Sequence, residues 1–231
     1  MKPAFSGFPP EAIRFLRDLK KHNDRDWFQP RKEQFETQVR APMISLVAAL
    51  QEALRAEGQD YGFDAKKSLH RIYRDTRFSA DKTPYKSHIS AALHPASGRR
   101  DECAGFYVAI SGESVEIGGG IYHPPAPLLL TVRTHVAAHH ERLRAILANR
   151  TLHKLMGELQ GDRLTRVPKG FAADHPATDL LRYKDYFLYA KLPPGAATQP
   201  DLLKELWRRT RAMLPLLDFL NEPLIRAGHQ G

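Results

Sequence analysis

Residues 71–86, Arg-Ile-Tyr-Arg-Asp-Thr-Arg-Phe-Ser-Ala-Asp-Lys-Thr-Pro-Tyr-Lys, limit what this chain can fold into more than any other stretch. Five cations (Arg71, Arg74, Arg77, Lys82, Lys86) alternate there with two anions (Asp75, Asp81) around aromatic residues. In a strand side chains alternate, so Arg71 and Arg77 would face one way and Arg74 the other. In a helix the three arginines, spaced by three, would share a face. The segment from Phe78 to Tyr85 reads as turn, with Ser79 and Asp81 as local hydrogen-bonding residues. The stretch therefore reads as a strand to about Arg74, then a structured loop that returns Arg77, Lys82 and Lys86 to the strand end. Charges of both signs at this density imply a fixed polar network, which either braces the fold or holds an anion.

Arginine offers a rigid fork of donors that grips carboxylate or phosphate at two points, and lysine adds a point charge. As a ligand site the motif would use Arg71, Arg74, Arg77, Lys82 and Lys86, with Asp75 orienting one arginine and Tyr122 and His123 joining from a later loop. As a brace, Asp75, Asp81 and acids elsewhere would neutralise the same cations in a buried network, because arginine is seldom buried without a partner.

The rest of the composition narrows the class. A chain of 231 residues can bury a sizeable core. Its 42% hydrophobic and 26% charged residues are ordinary for a soluble globular protein. No apolar run approaches the roughly 20 residues needed to cross a bilayer, and the first ten residues carry no secretory-type apolar segment. The single cysteine, Cys103, excludes an internal disulfide, which suits a reducing cytoplasm. The formal charge of +9 suits anionic partners, nucleic acid among them. The basic residues are scattered, however, in pairs such as Lys20-Lys21, Lys66-Lys67, Arg99-Arg100 and Arg208-Arg209, without the block that marks a nucleic-acid tail.

The pattern along the chain predicts α+β. Pro9 and Pro10 suit a helix start, and Ile13, Phe15, Leu16 and Leu19 give its apolar stripe. A second helical pattern runs from about Arg31 to Gly58, with Pro42 kinking it or opening a new helix. Strands are expected over Ser68–Tyr73, Ser87–Leu93, Gly105–Ile110 and Val115–Gly119, with a loop over residues 96–101. Gly118-Gly-Gly120 reads as a bend, or a place where something approaches the backbone closely. Helices return over Leu128–Ala148 and Leu152–Leu159, the latter capped by Thr151, and a short one falls within Asp174–Leu181. A strand over Tyr186–Leu192 and a helix from about Gln199 to Leu220, bent near Pro215, complete the order. The expected organisation is one domain over residues 5–222, with a mainly antiparallel sheet flanked by N- and C-terminal helices and a tail over 223–231.

Other constellations have ordinary readings. His135, His139 and His140 lack the His-Glu-x-x-His order of a zinc helix, so no metal is expected. His123 sits in a loop and could exchange protons near neutral pH, yet no nucleophile stands beside it in sequence. Cys103 follows Arg99-Arg100, which could favour its thiolate, but a plain thiol is the simpler reading.

Several segments resemble one family. They are Phe15-Leu-Arg-Asp-Leu-Lys-Lys-His-Asn-Asp-Arg-Asp-Trp-Phe28, the run from Arg74 to Lys86, Gly118-Gly-Gly-Ile-Tyr-His-Pro124, Lys169-Gly-Phe171 and His175-Pro176. Together they are similar to the conserved hypothetical proteins of domain-of-unknown-function family 2461. The resemblance spans about Phe5 to Leu220 and implies one domain. It brings no reaction, cofactor or catalytic residue. The functional expectation is therefore a protein, enzyme or not, that binds a phosphorylated or carboxylated small molecule through the Arg/Lys-rich loop, with no cofactor. The alternative is a non-catalytic nucleic-acid or protein-binding module in which the motif is a brace.

Overall fold

The computed structural model describes residues 5–62, 64–96 and 102–228. Its fold is α+β, with helices before and after a four-stranded antiparallel sheet in the order β1-β2-β3-β4. The strands are β1 (His88–Leu93), β2 (Gly105–Ser111), β3 (Val115–Ile121) and β4 (Tyr186–Leu192). Among the described residues no helix is long and apolar enough to cross a membrane. Contacts divide the chain into two compact units. One comprises Met1–Leu93, Tyr107–Ile117 and Lys191–Trp207, the other His94–Phe106, Gly118–Ala190 and Arg208–Gly231.

In the first unit, α1 (Pro10–Lys21) begins where proline costs nothing, since its first-turn N–H groups have no helical acceptor. Its apolar stripe, Ile13, Phe15, Leu16 and Leu19, is buried. Asp24 caps α2 (Arg25–Phe28) by accepting from Trp27 N at 2.7 Å. After α3 (Lys32–Gln34) the chain makes a wider π turn over Phe35–Arg40 and re-forms as α4 (Ala41–Ala56). Pro42 lies in the first turn of α4, directly after the π turn, on a backbone that stays helical from one to the other. Phe15, Phe28 and Phe35 form an aromatic cluster, with centroids 5.5–6.3 Å apart.

The expected strand over Ser68–Tyr73 is not there. Asp64 caps a helical turn, α5 (Ala65–Ser68), by accepting from Lys66 N at 3.0 Å, and this draws Ser68 into the turn. Beyond it the chain is paired only at two isolated bridges, Leu69 with Ala91 and Tyr73 with Tyr85.

In the second unit the glycine triplet is a strand interior, not a bend, because β3 runs through it to Ile121. A Cβ on Gly118 would stand 2.9 Å from Leu188 O, and one on Gly120 (φ +137°) 2.1 Å from Tyr186 O. The glycines admit the neighbouring backbone at a distance no side chain allows, the second of the two readings. Helix α6 (Ala126–Leu147) leads to α7 (Arg150–Met156). The cap of α7 is Asn149, not Thr151: its Oδ1 accepts from Thr151 N and Leu152 N at 2.9 and 3.0 Å. A short α8 (Thr178–Leu181) follows. The last helix, α9 (Leu202–Gly228), continues through Pro215 and Pro223, past the residue where a tail was expected to start. Buried Asn221 fastens this stretch, accepting from Ala104 N at 2.7 Å and donating to Ala104 O at 3.1 Å. Most of the expected loop at 96–101, Arg99-Arg100 included, and the last residues, 229–231, lie outside the described residues.

Candidate functional site

The charged motif is built from its base upward. Tyr85 is buried and stacks on Phe28, with centroids 4.2 Å apart. Asn23 holds both backbone groups of Tyr85, donating to its carbonyl at 2.9 Å and accepting from its N–H at 3.0 Å. Two of the segments that carry the family resemblance therefore meet here. Arg74 N donates to Pro84 O at 2.9 Å and Lys86 N to Ile72 O at 2.8 Å, which pairs the two legs of the loop.

Within the loop the cations are engaged by its own groups. The Arg74 guanidinium donates to Asp81, to the Thr83 hydroxyl and, at 3.4 Å, to Ser79 Oγ. Asp81 also accepts from Thr83 N at 2.9 Å. That backbone donor first, and Arg74 second, hold the Asp81 carboxyl down at about 2. Arg77 grips Asp75 with two bonds, 3.0 and 2.8 Å, which lower the Asp75 carboxyl below its usual range. Lys82 Nζ donates to Thr76 O at 2.9 Å. The network lies at the surface, unlike the buried brace expected from sequence: the side chains of Arg74 and Arg77 are 26% and 76% exposed, and the ring of Phe78 stands 95% exposed at the tip.

Arg71 and Lys86 are placed differently. Neither forms an ion pair among the described residues, although the charge of Arg71 is felt by Asp75. Lys86 is half-buried, and its ammonium is held below its usual value by burial first and by the charge of Arg71 second. Two residues on, beyond a bend at Ser87, His88 opens β1, and the strand period puts His88 and Ser90 on one face. Burial, and then the charge of Lys86, push the His88 imidazole below 6.5, while Glu116 on β3 pulls the other way. His88 is therefore predominantly neutral at pH 7 and can accept a proton. Tyr107 of β2 faces the same group. Burial raises its phenol, and a hydrogen bond with Ser90 opposes the rise. His70 Nδ1 lies 3.0 Å from Ser90 Oγ. Glu116 accepts from Ser114 Oγ at 3.0 Å and pairs with Lys191 at 3.4 Å.

This face offers two cations at one edge, a neutral imidazole, a phenol and one paired carboxylate. Such a set can hold an anion and move a proton. His70, His88, Tyr107 and Glu116 were not singled out from sequence. The signal for His88 was legible in the alternation Lys86-Ser-His88-Ile-Ser90, read only as a strand.

Tyr122 and His123 belong to the other unit. Their rings touch, with centroids 4.0 Å apart, and both side chains are exposed. His123 adopts φ +48°, held there by Asp185, which accepts from His123 N at 2.6 Å and lies 3.3 Å from its Nδ1. Cys103 is buried, its Sγ 3.8 Å from His94 Nδ1. The rings of His135 and His139 lie 4.6 Å apart, tilted by 54°, where φ −131° at His139 kinks α6. Among the described residues no three His, Cys, Asp or Glu side chains gather as metal ligands.

No curated protein matches the chain. A family match covers residues 11–219, which takes in the loop, its Asn23 anchor and the strand face. The chain belongs to the family described as conserved hypothetical protein, DUF2461.

Proposed function

We propose that this protein binds a small phosphorylated or carboxylated molecule at the face headed by Arg71 and Lys86, with His88 and Tyr107 beside the bound anion. One observation carries the reading. Lys86 is half-buried next to another cation, without a carboxylate among the described residues to offset it. Desolvating an ammonium beside a like charge is unfavourable, and a bound anion removes both penalties. Arg74, Arg77 and Lys82, which the sequence also nominated, act here as the scaffold of the loop. A neutral His88 beside the anion would add acid–base capacity, so chemistry on the ligand is compatible with the site.

Titration calorimetry with sulfate and with inorganic phosphate tests the proposal. Saturable binding at one site per chain, weakened at least tenfold in Lys86→Met and unaltered in Arg74→Gln, is the expected result. Equal affinity in wild type and Lys86→Met sinks it. Tight, salt-sensitive binding of an oligonucleotide with no sulfate binding would turn the reading to a nucleic-acid module.

A further inference from the structure

The strand face of the first unit carries a polar chain that anion binding alone does not use. Ser90 is 2% exposed, yet its hydroxyl has a titratable ring on each side. His70 Nδ1 lies 3.0 Å away, and the Tyr107 phenol is hydrogen-bonded to it. The backbone holds His70 there: its N–H donates to Ser90 O at 2.8 Å, and Leu69 bridges to Ala91. The His70 and Tyr107 ring centroids are 6.2 Å apart. A hydroxyl is donor and acceptor at once, so Ser90 can take a proton from His70 and pass its own to Tyr107. Both rings are half-buried, so the chain links two accessible groups through a buried one. Burial raises the Tyr107 phenol, which keeps it protonated at pH 7, whereas His88 is predominantly neutral there. The charge of Glu116 reaches both Tyr107 and His88, so donor and acceptor stand around one place. All these residues, with Arg71 and Lys86, belong to the first unit.

We propose that this face hydrolyses a phosphomonoester, with His88 as base toward water, Tyr107 as acid toward the leaving oxygen, and Ser90 and His70 as the chain that returns a proton to Tyr107. The activity rests on the anion site at Arg71 and Lys86 and names the phosphoryl class for it. A phosphomonoester approaches about two negative charges at pH 7 and would meet two cations, whereas a carboxylate brings only one. Asp75, the acid that the charge of Arg71 reaches, is itself gripped by Arg77. In the step, the oxygen of water bonds to phosphorus as His88 takes its proton. The ester P–O bond breaks, and the leaving oxygen takes the proton of Tyr107. The phenolate regains a proton from Ser90, Ser90 from His70 and His70 from water, while His88 returns its proton to water. The products are an alcohol and inorganic phosphate. Positioned proton transfers of this kind contribute roughly 10²–10⁴ in rate.

Inorganic phosphate labelled with heavy oxygen is the probe, because exchange of its oxygens with water is the same step with hydroxyl as the leaving group. Exchange is followed by phosphorus NMR at saturating phosphate, and phosphate affinity by calorimetry, both on the full chain. Wild type should exchange. Tyr107→Phe should exchange at least a hundredfold more slowly and Ser90→Ala at least tenfold more slowly, each with phosphate affinity within about twofold of wild type. A purely structural Ser90 would move affinity or thermal midpoint together with rate. Phosphate that binds without exchanging, or exchange at the wild-type rate in either variant, overturns this activity and leaves the anion site standing. Absence of phosphate binding overturns the anion site and the activity with it. Thermal unfolding reports whether the variants fold, and if Ser90→Ala does not, Tyr107→Phe, which keeps the ring, decides.

Discussion

The loop between Arg74 and Pro84 and the strand face that begins at Lys86 are neighbours in sequence, and both are rich in cations. They use them in opposite ways. In the loop Arg74, Arg77 and Lys82 each find an acceptor within the same ten or so residues, and the network sits in water. On the strand face the cations are fewer and less exposed at Lys86, and neither Arg71 nor Lys86 forms an ion pair among the described residues, although the charge of Arg71 reaches Asp75. The density of charge in a sequence therefore does not mark a site. What distinguishes the two regions is whether the charge is satisfied by the chain itself.

That contrast breaks most easily at Lys86. Lys86→Met keeps the aliphatic stem and removes the ammonium, so sulfate affinity should fall at least tenfold by calorimetry, the largest effect expected here. An unchanged affinity would mean that the half-buried lysine only lays its stem along apolar surface, as lysines do. Removing the charge should also leave the thermal midpoint unchanged or raise it, because the folded chain loses an uncompensated cation. The loop should respond the other way. Arg74→Gln removes donors to Asp81, Thr83 and Ser79, and should cost about 1–2 kcal/mol in a denaturant titration with sulfate affinity retained. If Arg74→Gln abolished binding in folded protein, the loop would be part of the site.

A smaller effect comes from pH. The folded His88 titrates below 6.5. Between that folded value and 6.5 the unfolded chain binds more protons, so stability rises with pH there and the contribution is complete by pH 7. Sulfate favours the protonated ring. Its affinity should therefore increase a few-fold as pH falls through the folded value of His88, and His88→Gln should flatten both profiles. Sulfate keeps its charge over this range, so the slope belongs to the protein. A slope that survives in His88→Gln would assign it to another group.

How much of this was legible in the sequence follows from the range of the interactions. The helix start at Pro10, the Gly58 stop and the strand over Tyr186–Leu192 are local, and they are readable from turn chemistry and period. The segment Ser68–Tyr73 was misread because Asp64, four residues upstream of Ser68, opens a helical turn that strand-like residues do not announce. The glycine triplet was ambiguous because the backbone it admits belongs to β4, nearly seventy residues later. The same holds for the site. The loop's internal pairs lie within about nine residues, and the acids that satisfy them could be named in advance. Tyr107 and Glu116 reach the face only by strand pairing, and no local spacing connects them to Lys86.

The smallest expected effect is at Arg77, and it sharpens the comparison because it should be nearly nil. Arg77 has the better geometry of the two loop arginines, a bidentate grip on Asp75. Its side chain is 76% exposed, however, so water and salt supply most of what Asp75 provides, and exposed ion pairs contribute little. Arg77→Gln should give no resolvable change in thermal midpoint and none in sulfate affinity. Asp75 would then titrate closer to its usual value, visible by NMR, since the Arg77 side chain is the main cause of its lowering. A Phe78 ring signal that broadens or moves in the same variant would show that the pair orders the tip. A loss of sulfate affinity would instead place the exposed tip over the bound anion, and the division between a self-satisfied loop and an unsatisfied face would have to be drawn at Arg74 alone.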